Sequence, residues 1–194
     1  MNDKIVKPTQ DQAEEAVRTI NSWLGDDPSR AGILETPKRV LKSYKECFVG
    51  YTQDPTTVIN KTFTDIDGYN GMVLLQDINF ISFCEHHLLP FKGIANVAYM
   101  PNKMVIGISK IARIVDILSK RLQIQERLTA QIANTIDSCL KPFGVAVSII
   151  AAHECMSCRG ASKDGVKVRT HHLLGLFSED EQLRHTFLTL SDKK

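Results

Sequence analysis

At 194 residues, with 43% apolar and 24% charged residues, the chain is long enough for one well-buried core and ordinary in composition for a globular protein. A net charge of +2 supplies no broad basic field, so neither a nucleic-acid nor a membrane partner is expected and any anion site must be local. No apolar run approaches the roughly 18 residues of a membrane helix. The start, Met1-Asn2-Asp3-Lys4-Ile5-Val6-Lys7-Pro8, has no hydrophobic signal core, which predicts a cytoplasmic location.

In chain order, Gln12 to Leu24 reads as a helix with Ala13, Ala16, Val17, Ile20 and Leu24 on one face, stopped by Gly25-Asp26-Asp27-Pro28. Thr36-Pro37 caps a second helix, with Val40, Leu41, Tyr44 and Phe48 inward until Gly50. Asp54 to Asn70 is a polar connector with turn signals at Asp67-Gly68 and Asn70-Gly71. From Met72 the texture changes to strands: Val73-Leu74-Leu75, Ile78 to Phe83, Gly93 to Met100 and Lys103 to Ile108, with a tight turn at Pro101-Asn102. Helices follow at Ser109 to Lys120 and Gln125 to Leu140, the latter with Leu128, Ile132, Ile136 and Leu140 on one stripe. Val145 to Ala152 and Val166 to Phe177 are again strands, and Glu179 to Leu190 is a short terminal helix. Strands, two helices, strands and a helix in that order make an α+β chain rather than alternating β-α units. The division this suggests is an N-terminal helical segment, 1–60, and a second domain, 61–194.

Five cysteines do not form the pattern of a small disulfide scaffold. Cys47 and Cys139 lie in apolar helical contexts and read as plain core or half-buried thiols. Cys84, Cys155 and Cys158 remain as metal candidates. Cys84-Glu85-His86-His87 follows a strand, and His153-Glu154-Cys155-Met156-Ser157-Cys158-Arg159-Gly160 follows another, with Cys155 expected at that strand's end. Thiolate and imidazole ligands at this spacing suit zinc. Four ligands, Cys84, His87, Cys155 and Cys158, would close the site into a structural staple; three would leave a position for water and hydrolytic chemistry. His86 and His153 are histidines a staple does not need, and they suit proton transfer near neutral pH. Glu85 and Glu154 add acidic neighbours.

Two further segments bear on a ligand. Ser109-Lys110-Ile111-Ala112-Arg113 opens a helix whose Ile111, Ile114, Val115 and Leu118 face inward, so Lys110 and Arg113 share another face near the helix N-terminus. Two cations beside free backbone N–H groups form a phosphate trap, to which Arg159 adds a third charge. Gln125-Glu126 begins the next helix. A carboxylate there could accept from the two adjacent N–H donors on the Watson–Crick edge of guanine, or merely complement the helix dipole.

These segments together resemble the GTP cyclohydrolase I family. The matching runs are Ser82 to Gly93, Ile106 to Val115, Arg121 to Thr129 and His153-Glu154-Cys155-Met156 with Arg159-Gly160. Weaker matches lie at Thr36-Pro37-Lys38-Arg39-Val40 and Gly175-Leu176-Phe177. The resemblance covers most of the chain from Asp27 to Phe177. It implies a tunnelling fold, an antiparallel sheet with two helices on one face, preceded by N-terminal helices and assembled into a homodecamer with active sites between subunits. It implies Zn2+ held by Cys84, His87 and Cys155 with water as the fourth ligand, and Cys158 outside the metal set. It implies GTP as substrate, opening of its imidazole ring, release of C8 as formate, and formation of 7,8-dihydroneopterin triphosphate for tetrahydrofolate and pterin biosynthesis.

By the same resemblance His153 protonates N7, His86 assists proton transfer, and Ser109 lies near the ribose. Glu126 and Gln125 form the guanine-recognition pair, with Gln125 also counted among the catalytic residues. Lys110, Arg113, Arg159 and, from a neighbouring subunit, Lys42 contact the triphosphate. Thr170-His171-His172 departs from the small hydroxyl residues common at that place, and Cys158 is a second departure. Two rival readings stay in view: another tunnelling-fold enzyme acting on a pterin or deazapurine, and a non-catalytic zinc-stapled module.

Overall fold

A computed structural model describes residues 6–59, 62–64 and 66–192. The first five residues and part of the connector, including the 60/61 boundary placed from sequence, lie outside the described residues. The chain divides into two compact units, Met1–Phe48 and Val49–Lys194.

In the first unit, α1 (Gln10–Trp23) and α2 (Thr36–Cys47) form the two helices the apolar spacing predicts. A capping box starts α1: the Thr9 hydroxyl accepts from Gln12 N–H while the Gln12 side chain accepts from Thr9 N–H, an arrangement that stabilises a helix start by about 1 kcal/mol. Pro37 sits in the first turn of α2, where its missing N–H costs nothing. Of the apolar face expected on α1, Ala13 and Val17 are half-buried while Ala16, Ile20 and Leu24 are exposed, and the neighbouring Trp23 is 81% exposed.

The second unit is built on a five-stranded sheet. Its strands are β2 (Val73–Cys84), β3 (Pro90–Met100), β5 (Leu122–Gln123), β6 (Gly144–His153) and β7 (Lys167–Gly175), in the order β5-β2-β3-β6-β7. β2, β3, β6 and β7 pair antiparallel, while the short β5 lies parallel to the end of β2. β1 (Thr62–Phe63) and β4 (Val105–Ile106) make a separate pair, so the strand expected over Lys103 to Ile108 shortens to two residues. The two strands expected between Val73 and Phe83 are one. The register shifts between Leu75 and Ile78, with Asp77 at φ +57° and its N–H donating to Asn96 Oδ1.

On one face lie α3 (Ile108–Ser119) and α4 (Gln125–Leu140). Leu128, Ile132, Ile136 and Leu140 of α4 are at most 2% exposed and pack with Ile111, Ile114 and Leu118 of α3 against Val97, Tyr99, Val147 and Ile149. Each such fully buried side chain contributes about 1.5–3 kcal/mol of transfer free energy. The pleat turns Ala98 and Ala146 to the opposite face, where they meet Phe177 and Phe187. Those two belong to α6 (Leu176–Glu179) and α7 (Glu181–Asp192), two helices where one was expected.

Gly50 joins this unit to the end of α3: its N–H donates to Lys120 O, and a Cβ there would come within 2.1 Å of Ile117 O. Arg121 then donates to the carbonyls of Gly50 and Gln53. These bonds hold the link from α3 to β5, which is the strand that abuts Cys84. No helix among the described residues is long and apolar enough to cross a membrane.

Candidate metal centre and active site

The end of β2, the start of β3 and the end of β6 meet at one end of the sheet, where Phe83 pairs with Pro90 and Phe91 with His153. After Cys84 the chain turns sharply: Cys84 N–H donates to Leu89 O, Leu88 N–H returns to Cys84 O, and Leu88 takes φ +56°. Glu85 N–H donates to Gln123 O, and the Arg127 guanidinium binds both oxygens of the Glu85 carboxylate at 2.5 and 3.0 Å. That pair holds the Glu85 carboxyl below its ordinary range and ties the turn to α4. Past His153 the chain enters a single helical turn, α5 (Glu154–Ser157). Cys155 therefore sits in a helical turn and not at the end of a strand.

These two turns bring Cys84, His87 and Cys155 together, with one ligand atom from each and all three within 4.8 Å of one another. Cys84 Sγ is 3.7 Å from His87 Nδ1. A tetrahedral zinc with Zn–S about 2.3 Å and Zn–N about 2.0 Å needs its donors roughly 3.5–3.8 Å apart; the Cys84–His87 pair stands at that spacing, and two thiols with an imidazole fit the ion in chemistry. Cys84 is buried, and burial together with the facing Cys84 thiol pushes the Cys155 thiol above the ordinary cysteine range. Cys158 stands outside the group. It is exposed, and its thiol donates to Glu154 O at 2.9 Å. Among the described residues, then, the cluster has three protein ligands.

His86 is exposed, with Nδ1 3.7 Å from Cys84 Sγ. Arg159 Nη1 lies 3.3 Å from His87 Nε2, next to Gly160 at φ +61°. His153 stacks on Phe91 with ring centroids 4.6 Å apart and planes within 5°. Burial pushes its imidazole below the ordinary value, and the Glu126 carboxylate partly opposes this. Glu126 itself is exposed at the start of α4. Gln125, expected beside it as a reader of guanine, is instead 2% exposed and spends its amide inside the fold, with Oε1 2.8 Å from His153 Nε2.

The phosphate residues are placed differently. Ser109, Lys110 and Arg113 lie in the first half of α3, whose Gly107 N-cap supplies no side-chain cap. Ser109 stands about 15 Å before the end of that helix, and the helix end leads into β5 beside Cys84. The helix starts next to Ile106, whose N–H donates to Tyr99 Oη. Tyr99 is about 27 Å along β3 from Phe91 at ~3.4 Å per residue. Within one chain, therefore, the start of α3 and the metal cluster belong to opposite ends of the sheet. Lys42 is exposed on α2 in the other unit. His171 is exposed and His172 half-buried on β7.

A sheet carrying two helices on one face and a Cys-His-Cys cluster at one end makes an α+β chain with a candidate metal site. The family model for GTP cyclohydrolase I matches residues 13–192. A relative from Rickettsia felis, GTP cyclohydrolase 1, is 50% identical over 188 residues, covering 97% of this chain and 99% of its own. Another of that name from Maricaulis maris is 50% identical over 187 residues, covering 96% and 91%. This chain belongs to the GTP cyclohydrolase I family. Among solved structures, an archaeosine synthase QueF-like protein in the apo form aligns with a TM-score of 0.47 at 20% identity, covering 55% of this chain and 96% of that one.

Proposed function

We propose that this chain is a zinc-dependent GTP cyclohydrolase I, which opens the imidazole ring of GTP, releases C8 as formate and yields 7,8-dihydroneopterin triphosphate. We place it in the cytoplasm at the first step of tetrahydrofolate and pterin biosynthesis, and we assign 61–194 as the catalytic domain. The observation that carries the reading is the three-donor cluster with His153 and Glu126 beside it. Cys84, His87 and Cys155 would hold the ion, which supplies Lewis acidity and a water whose pKa falls toward about 7. His153, held against Phe91, protonates N7 and makes C8 more electrophilic. Glu126 accepts from guanine N1–H and the exocyclic amine. His86, exposed beside Cys84, exchanges protons with solvent. Arg159 meets the triphosphate at the cluster, and Lys110, Arg113 and Lys42 supply its other cationic contacts, with Ser109 near the ribose.

Because the start of α3 and the cluster lie at opposite ends of one sheet, a second copy of the chain is needed to bring Lys110 to a GTP held at Glu126. Two features support such an assembly, a homodecamer in our reading. Among the described residues β7 is an edge strand of the sheet, and Ile20 and Trp23 of α1, with Leu24 just past its end, are exposed.

Zinc-loaded protein given GTP is expected to release formate together with a pterin that fluoresces after oxidation; GTP left intact by zinc-replete, assembled protein would reject the reading. Mixed oligomers test the shared site. Lys110→Ala and His153→Ala chains, each inactive alone, are expected to regain roughly a quarter of wild-type activity when unfolded and reassembled together, since about one interface in four pairs two intact halves. No recovery from mixed oligomers would place both residues in one chain's site.

A further inference from the structure

Gln125 opens α4 with its side chain buried, and the groups around it fix which way its amide faces. Nε2 lies 3.2 Å from Ile149 O, 3.0 Å from Val168 O and 3.1 Å from Thr170 Oγ1, three acceptors on β6 and β7. Turning the amide over would set Oε1 against two carbonyl oxygens in a buried site, which leaves polar groups unpaired. The hydroxyls agree with this orientation. Thr129 Oγ1 donates to Gln125 O at 2.7 Å, so its single hydrogen is spent. In the 2.7 Å contact between Thr129 and Thr170 the donor is then Thr170. Thr170 Oγ1 is left to accept from Gln125 Nε2.

With its nitrogen committed to the sheet, Gln125 presents Oε1 to His153 Nε2 at 2.8 Å. An amide oxygen only accepts, so that ring nitrogen must carry the hydrogen. The stacked Phe91 ring holds the imidazole in plane for this bond. The arrangement joins four segments, β3, α4, β6 and β7, around one imidazole.

We propose that Gln125 is a positioning residue that holds His153 in its Nε2–H form, leaving Nδ1 as the nitrogen through which His153 hands a proton to the substrate. The catalytic half rests on the GTP-opening activity proposed above. In that step Nδ1, bare at rest, first takes a proton from water, whose O–H bond breaks to leave hydroxide; the new Nδ1–H bond then breaks as the N7–H bond forms. The electron pair returns to Nδ1, and the ring is again the neutral Nε2–H form. Gln125 reads no base in this arrangement; guanine recognition falls to Glu126. Thr170, at the place where this chain departs from its resemblance, belongs to the same relay.

The test uses full-length, zinc-loaded protein with [15N]histidine and solid-state NMR, the His153 signals being assigned by their loss in His153→Gln. In the wild type His153 is expected to show a protonated Nε2 and a bare Nδ1. In Gln125→Leu that signature is expected to give way to a tautomer mixture. The kcat for GTP is expected to fall ~100-fold, while KM stays within about threefold. A wild-type His153 with the hydrogen on Nδ1 would overturn the proposal. So would a Gln125→Leu enzyme with KM raised tenfold or more and kcat kept, the result a guanine reader would give. Should Gln125→Leu fail to fold, Thr170→Val is expected to loosen the same signature and lower kcat, with Thr170→Ser restoring both; no difference between these two would overturn the relay. A wild type with the Nε2–H signature but no GTP turnover would remove the functional reading and leave the Gln125–His153 arrangement standing.

Discussion

Cys155→Ala is expected to lose zinc and to reduce GTP turnover to background, whereas Cys158→Ala keeps both to within about twofold. The two thiols are three residues apart in one short helical segment, yet their surroundings differ. Cys155 faces the Cys84 thiol within the three-donor group, while exposed Cys158 donates to a backbone carbonyl in its own turn. Removing Cys158 leaves Glu154 O a partner it can find in solvent. Removing Cys155 takes away one of three donors. Zinc content by mass spectrometry separates the cases: loss of zinc and of fold in Cys158→Ala would make the site a closed staple and end the catalytic reading.

The same site carries a pH dependence. Burial and the facing Cys84 thiol push the Cys155 thiol upward, so in the metal-free site Cys155 keeps its proton through neutral pH. Binding a cation expels it, and affinity must therefore fall as the solution is acidified. Between about pH 8 and about pH 5, transfer of zinc to a chromophoric chelator is expected to become progressively easier. An affinity constant across that range would show that the thiols are not the ligands.

His153→Ala is the second large effect. It is expected to keep zinc and GTP binding while lowering kcat by about 10²–10⁴-fold, the usual worth of a positioned proton donor. Burial against Phe91 holds this imidazole below its ordinary range, which keeps it largely neutral at pH 7 and able to cycle a proton without a standing charge beside the cluster. Equilibrium GTP binding with single-turnover kinetics distinguishes the steps. A variant that binds normally and turns over normally would take His153 out of the chemistry.

Local patterns carried well from sequence to structure. The α4 stripe from Leu128 to Leu140 gave the helix its observed bounds, Gln125–Leu140, because period and burial agree there. The grouping of Cys84, His87 and Cys155 is also seen in the structure, since Cys84 ends β2 and His87 and Cys155 lie on the short turns that follow β2 and β6. Spacing alone could not count the ligands. Cys158 falls outside the cluster because α5 turns its thiol toward Glu154 O, and a four-residue helical turn leaves little trace in a hydrophobic pattern.

Long-range pairing was the harder part. The burial of Gln125 depends on His153, Val168 and Thr170, partners that only the β6–β7 register and the docking of α4 bring near. A Gln-Glu pair at a helix start reads as two exposed polar residues; one of them points outward and the other is sealed in the sheet. The bulge at Asp77 was likewise hidden, because its positive φ is supported from β3 by Asn96. The distance between the start of α3 and the cluster became visible only when strand lengths could be measured.

An open three-ligand centre is the claim on which the rest depends, and zinc K-edge X-ray absorption on the loaded, full-length protein reads it directly. The expected first coordination sphere is two sulfurs at about 2.3 Å and two nitrogen or oxygen neighbours at about 2.0–2.1 Å, one of the latter exchanging when GTP is added. Three sulfurs with a single nitrogen, unchanged by GTP, would close the site and contradict the account.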